Sequence, residues 1–247
     1  MRMRWNSVVS VVTAAVLGAA MMSGCSSTKD EPTPTAATQT TSDPQAAQEA
    51  DEISRPAQPG PVDAEEFQST LKQGMSTVTT YVVTSTSTVT SSGMTVTSTS
   101  TTQVDNSDPS TPKTHLITDA TSVAPGVETP KVEVIGIGTT VYTSNPDSGT
   151  WTKTEASQSD LDSLDGLSAL STVTAVEFIG AETVDGTDAD HYLVTTQMGP
   201  MDFYIASGRL LKLEMSLGEG MTATSSYSAY GEPLSITAPD PSLVVAA

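Results

Sequence analysis

Met201-Asp202-Phe203-Tyr204-Ile205-Ala206-Ser207-Gly208-Arg209-Leu210-Leu211-Lys212-Leu213-Glu214-Met215-Ser216 is the stretch whose pattern decides the fold. Met201, Phe203 and Ile205 alternate with Asp202 and Tyr204. After Ser207-Gly208 the alternation resumes, with Leu211, Leu213, Met215 and Leu217 set against Lys212, Glu214 and Ser216. A period of two belongs to a half-buried strand, because successive side chains point to opposite faces of a sheet. Two such runs joined by a short glycine-containing turn predict an antiparallel hairpin with one face inward and the other in water.

The same reading extends in both directions. Upstream, Val173 to Val184 and His191 to Gln197 are strands around an Asp185-Gly186 turn, and Gly199-Pro200 leads into Met201. Downstream, the glycines at 218 and 220 turn the chain into a strand from Met221 to Tyr230, and Gly231-Glu232-Pro233 leads to a short Leu234-Ser235-Ile236 segment. Earlier in the chain, Tyr81, Val83 and Val89 fall on odd positions, Ser91-Ser92-Gly93 reads as a turn, and Met94, Val96 and Val104 fall on even positions. This is a long hairpin with a thin apolar face, since many of its inward positions are Ser or Thr. Strands follow at Lys113 to Asp119 and at Val132 to Ile137, the latter leading into Thr139-Thr140-Val141-Tyr142. Asn145-Pro146-Asp147-Ser148-Gly149 is a turn, with proline setting φ and glycine supplying positive φ, and Trp151 after it is expected to be buried over the end of a sheet.

Two segments carry a helical period instead. Asp63-Ala64-Glu65-Glu66 places a capping residue three positions before an acid, and Phe67, Leu71, Met75 and Val78 follow at spacings of four, four and three. Leu161, Leu164, Leu167 and Leu170 recur every three residues, consistent with a short helix or lid broken near Gly166. Nine or ten strands joined by hairpin-length turns, with two helices on one side, predict an α+β fold: a large antiparallel meander with one covered face and one wet face.

The chain before Asp63 is of another kind. Arg2 and Arg4 precede an apolar run from Val8 to Met22, which has signal-peptide length and falls short of the roughly 20 residues that span a membrane. Met22-Ser23-Gly24-Cys25 then has the form of a bacterial lipobox and holds the single cysteine, so residues 1–24 are expected to be removed and Cys25 to be lipidated. Residues 25–62 contain six prolines and almost nothing large and apolar. They are expected to be a disordered tether with a reach of roughly 33 Å. Residues 63–247 form the folded domain.

The chain has 10 basic and 29 acidic residues, net −19, and losing Arg2 and Arg4 takes this to −21. Such a polyanion argues against nucleic acid as a partner and against charge-driven binding to anionic lipid. His115 and His191 are the only histidines, and both fall within strand patterns. There is no Gly-x-Ser-x-Gly, His-Glu-x-x-His, phosphate-binding loop or paired-cysteine site, and Asp160, Asp162 and Asp165 lack the order of a calcium loop. No enzyme activity, metal or cofactor is expected. Phenylalanine is scarce, while Met75, Met94, Met198, Met201, Met215 and Met221 supply soft side chains that suit an interior with variable apolar contents.

The order of these segments resembles the LppX/LprAFG lipoproteins of actinobacteria and, more broadly, the LolA-like lipoprotein superfamily. The resemblance rests on the lipobox and tether, Phe67-Gln68-Ser69-Thr70-Leu71, the Thr/Ser hairpin, the Val-Tyr strand and turn before Trp151, and Val184-Asp185-Gly186 leading to His191-Tyr192. Gly208-Arg209-Leu210 and Tyr230-Gly231-Glu232-Pro233 before Ile236 complete it. It implies a half-barrel sheet whose concave face is closed by helices around an apolar cavity that carries acylated lipids or glycolipids. The anchor would place the protein on the extracytoplasmic face of the cell membrane. By strand phase and this analogy, Val83, Val96, Phe203, Ile205, Leu213 and Met215 are expected to line the cavity, with Leu164 and Leu167 as a lid. The alternative reading is an envelope module that binds or senses protein and holds no lipid cargo.

Overall fold

The computed structural model describes residues 55–91, 94–122, 131–156, 173–216, 218 and 220–246. Cys25 and most of the proposed tether, Leu164 and Leu167 with the rest of the second helical segment, and Asp160, Asp162 and Asp165 lie outside them.

The described residues form one 13-stranded sheet and one α-helix. The strands are β1 (Gly60–Val62), β2 (Thr80–Ser91), β3 (Met94–Asp105), β4 (Lys113–Ser122), β5 (Val132–Ile137), β6 (Thr140–Asn145) and β7 (Thr150–Glu155). They continue as β8 (Val173–Val184), β9 (Thr187–Thr196), β10 (Gly199–Ala206), β11 (Arg209–Ser216), β12 (Met221–Ser228) and β13 (Val244–Ala246). The spatial order is β1-β8-β9-β10-β11-β12-β2-β3-β4-β5-β6-β7-β13, so the sheet is open, with β1 and β13 at its ends. All neighbours are antiparallel except β13, which runs parallel to β7. The expected single meander is therefore two, β2 to β7 and β8 to β12, joined where β12 pairs with β2.

Helix α1 (Ala64–Ser76) starts where the capping pattern placed it: the Asp63 carboxylate accepts the backbone N–H groups of Glu65 and Glu66 at 3.0 and 2.9 Å. Its buried stripe is Phe67, Leu71, Gly74 and Met75, and this stripe lies on the sheet chiefly over β8 and β11. Phe67 packs against Tyr192 on β9, with ring centroids 5.0 Å apart, and against Phe203 on β10 at 6.2 Å. Gly74 brings the helix backbone directly onto the β10–β11 turn, where it meets Gly208.

Two tight turns carry positive φ where the sequence placed them, at Asp185-Gly186 and at Ser207-Gly208. Other expectations need correction. Val132 to Tyr142 is two strands, because Gly138 takes φ 55° and turns the chain within two residues so that Ile137 pairs with Thr140. The inward set of β11 is shifted by a bulge: Ile205 pairs with Leu210 and Tyr204 with Lys212, leaving Leu211 opposite no residue. Leu210 is therefore the core residue and Leu211 is only half-buried. Trp151 is half-buried within β7, on the face opposite α1, instead of sealed over an end. The sheet also begins before residue 63, with β1 on the edge of β8 and Arg55 ion-paired to Asp190. The short Leu234-Ser235-Ile236 segment lies outside the sheet and buries Ile236.

Candidate functional site: the inward face of the sheet

Following the register from strand to strand gives the composition of the face that meets α1. Val176 and Phe178 on β8 stand opposite Val194 and Tyr192 on β9, which stand opposite Met201 and Phe203 on β10, then Met215 and Leu213 on β11. The same face continues through Tyr227 on β12 to Val83 on β2, Thr102 on β3 and Leu116 on β4. Tyr81 and Val104 lie one row further on. These residues form the main core cluster, except that Leu116 is buried beside it and Thr102 adds a hydroxyl. At roughly 25 cal/mol per Å² of apolar area buried, such a face is the dominant stabilising term of the fold.

Of the residues expected to line a cavity, Val83, Phe203 and Ile205 are buried members of this cluster, and Leu213 and Met215 pack against it half-buried. Val96 lies on the same face at its far end and is 40% exposed. The six share one face as their parity required, but they differ in environment: Phe203 and Ile205 sit beneath α1, whereas Leu213, Met215 and Val96 lie towards the strands that α1 does not cover. Among the methionines, Met75 and Met201 are buried, while Met198 is 53% exposed in the β9–β10 turn and contributes nothing to the interior.

Sequence reasoning placed Tyr81 on this face but missed the aromatic wall to which it belongs. Tyr81 stands with Tyr227 and Tyr230 at centroid distances of 6.4 and 6.1 Å. Burial pushes the Tyr227 hydroxyl up to about 12 and the Tyr230 hydroxyl well above its ordinary range. The Tyr230 hydroxyl donates to the Leu210 carbonyl, and the Arg209 guanidinium lies 5.6 Å from the Tyr230 ring. Tyr192, wholly buried, has a hydroxyl with no hydrogen-bond partner among the described residues, and burial raises it to about 12. The parity of Tyr81 and Tyr192 with their apolar neighbours was the available signal.

The outward face carries the histidines. His191 Nδ1 lies 3.0 Å from Glu182 Oε1 on β8 and its Nε2 2.8 Å from Asp202 Oδ1 on β10, while its ring stacks on Tyr204 at 4.5 Å. Both ring nitrogens are thus engaged by carboxylates, and the group ties three strands together. His115 Nε2 makes a longer contact of 3.4 Å with Glu133. Among the described residues no group of three or more His, Cys, Asp or Glu side chains is placed to hold a metal ion, and no helix is long and apolar enough to cross a membrane.

This geometry is that of a known fold. The lipoprotein LppX of Mycobacterium tuberculosis superposes with a TM-score of 0.50 and 17% identity, covering 71% of this chain and all of LppX. LprF of Mycobacterium bovis gives 0.48 and 16% over 74% of this chain and 99% of its own. A putative outer-membrane lipoprotein-sorting domain from Vibrio parahaemolyticus gives 0.34 and 10%. No family model and no curated protein matches the sequence. The chain has the fold of LppX: a large, mostly antiparallel open sheet with a helix on one face.

Proposed function

We propose that the protein is a membrane-anchored, extracytoplasmic lipoprotein of the cell envelope that binds, and can pass on, an acylated lipid held between the sheet and its helical cover. In this reading residues 1–24 are the signal peptide, Cys25 carries the acyl (palmitate-type) anchor, residues 25–62 are the tether, whose end joins the sheet as β1, and residues 63–247 supply the rest of the binding domain, a half-barrel whose concave side is the α1 face. Lipid capture requires an apolar enclosure and a mouth that opens, and no covalent chemistry.

The observation that carries the reading is the extent of the inward face. Its apolar positions run from β8 through β11 and β12 to β4, while α1, the only described α-helix, rests chiefly over β8 and β11. Along it Leu213, Met215 and Tyr227 are only half-buried and Val96 is exposed, and such apolar surface beside the helix is where an apolar ligand gains most by burial. The LppX fold, described as that of a lipoprotein, supports both anchoring and envelope location. Half-exposed Leu213 and Met215 border the uncovered part and are its best candidate ligand contacts, with Val83 and Val96 further along.

Native mass spectrometry of protein gently extracted from its own membranes tests this. A discrete added mass matching a lipid is expected, and so is uptake of a diacylglycerol analogue by delipidated protein. Protein that carries no lipid and takes up none would overturn the proposal; co-purifying polypeptide in its place would favour the protein-binding alternative.

A further inference from the structure

The chain from Arg55 to Val62 does more than lead into the fold. β1 lies antiparallel on β8, with Gly60 opposite Phe178 and Val62 opposite Val176. Its hold is slight, because only three residues pair and Pro61 has no N–H to give to the ladder. A single residue, Asp63, separates β1 from α1, and its carboxylate caps the helix. Val62 and Ala64, on either side of Asp63, both pack on the core. β1 therefore cannot leave β8 without drawing the first turn of α1 with it. The other end of the helix is held independently, where Gly74 sits on the backbone of Gly208.

Upstream of β1 the chain reaches over the inward face. Arg55 Nε stands 2.5 Å from Asp190 Oδ1. Asp190 has the parity of Tyr192 and Val194 and stands between Ala181 on β8 and Ile205 on β10, so its carboxylate lies on the apolar face, and its side chain is only 14% exposed. A carboxylate in such a place needs either a positive partner or water. Arg55 supplies the first by charge alone: the contact is close but lacks the alignment of a hydrogen bond, and Asp190 Oδ1 accepts none from any described residue. The Arg55 side chain is 53% exposed, so it can give up Asp190 for water without leaving its own charge buried.

Near this pair is the wholly buried Tyr192 hydroxyl, also without a hydrogen-bond partner among the described residues. Burial and then the Asp190 charge raise it to about 12 while Arg55 lowers it, so the three groups act on one another. Tyr192 is also the ring on which Phe67 of α1 rests. Lifting the first turns of the helix would admit water to Asp190 and to Tyr192 together. The closed arrangement leaves two polar atoms poorly satisfied, whereas the open one hydrates both and gives up apolar contact. Two states opposed in this way are what a latch requires.

We infer that Arg55 to Val62 is a strap that latches α1 over the inward face, with the Arg55–Asp190 ion pair as its catch. Release frees β1 from β8 and lifts the N-terminal half of α1 about its Gly74 end, opening the inward face along β8 and β9. Because the strap is the end of the tether, it couples the membrane anchor to the state of the helical cover. The purpose of the device, admission of cargo, rests on the lipid-binding reading; the motion itself is read without ligand.

Hydrogen exchange of the full chain, followed by mass spectrometry with no lipid added, tests it. In Arg55→Gln, peptides covering residues 60–70 and 174–180 should exchange about tenfold faster, an effect between those of exposed and of buried ion pairs, while peptides from β3 and β4 stay unchanged. Asp190→Asn should act in the same way, and Arg55→Lys, which keeps the charge, should stay close to wild type. Tyr192→Phe, which removes the unsatisfied hydroxyl from the closed state, should slow exchange in the same peptides. Equal exchange in wild type, Arg55→Gln and Asp190→Asn would overturn the latch, as would an acceleration spread equally over β3 and β4, which would make the pair a general stabiliser of the domain. The expected pattern in a protein that takes up no lipid would instead uphold the latch and overturn the lipid-binding reading.

Discussion

Gly74→Ala is the substitution by which the docking of α1 on the sheet can be judged. A methyl group built on Gly74 would overlap the Gly208 carbonyl oxygen and stand 2.9 Å from its carbon and 3.4 Å from its Cα. All three atoms are backbone, and Gly208 is itself fixed in a turn at φ 70°, so no side-chain rotation can relieve the contact. The helix must lift by about an ångström, which loosens Leu71 and Met75, both buried against the sheet. Overpacking of this kind costs about 1–3 kcal/mol. In the opposite direction, replacing glycine by alanine in a helix gains about 0.8–1 kcal/mol of propensity. Because the overlap is with rigid backbone, the cost lies at the upper end of that range and the net loss should be about 2 kcal/mol, or roughly 4–8 °C in Tm for a domain of this size. Urea unfolding at unchanged m-value is the assay, with Lys72→Ala on the same helix as a control for propensity. A Gly74→Ala protein as stable as wild type, or more so, would refute the close approach and the position of the helix with it.

Other consequences follow from single groups. Tyr192→Phe removes a buried hydroxyl without a partner and should leave stability unchanged or raise it by up to about 1 kcal/mol, whereas Tyr230→Phe deprives the Leu210 carbonyl of its donor and should cost about 1 kcal/mol; denaturant titration that reverses this order would contradict both assignments. Glu214 is held below the usual carboxylate range by hydrogen bonds from Lys212 and Tyr204. Its contribution is therefore present above about pH 4.5 and lost as pH falls through the lowered folded value. Glu214→Gln should reduce the slope of stability against pH in that acid window and not above it. Burial and the Glu214 charge raise Tyr204 to about 12, so the stability linked to keeping it protonated is lost as pH rises from 10 towards 12, and Tyr204→Phe should flatten that alkaline limb. Cys25→Ala should move the protein from the membrane to the soluble fraction while leaving it able to bind lipid, since anchor and cargo occupy different parts of the chain.

Much of this architecture could be read from residue types because each strand solves the same local problem. Where one face is buried, parity is enforced, and Tyr81, Val83, Val104, Met201, Phe203 and Met215 all fall on the face that their alternation assigned. The helix start was equally legible, since Asp63 satisfies orphan N–H groups in the only way its position allows. The failures have physical causes as well. A bulge inserts one residue without changing composition, so Leu210 and Leu211 could not be told apart by alternation. The Gly138 turn has no polar cluster to announce it, and β1 and β13 are three-residue edge strands whose pairing is set by tertiary approach and not by pattern. The thin apolar face of the first hairpin was visible as serine at inward parity. Its burial was not, because burial depends on what the other strands bring against it.

The central claim is that lipid lies on the inward face, and face-resolved quenching tests it most directly. Tryptophan placed at Leu213, on the inward face, and separately at neighbouring Lys212, on the outward face, is titrated with a lipid brominated along its acyl chain, against the background of Trp151, which also faces outward. Strong saturable quenching for Leu213→Trp and none for Lys212→Trp is the predicted result. Equal quenching at both positions, or quenching only at Lys212→Trp, would contradict an internal site and assign any lipid contact to the outer surface of the sheet.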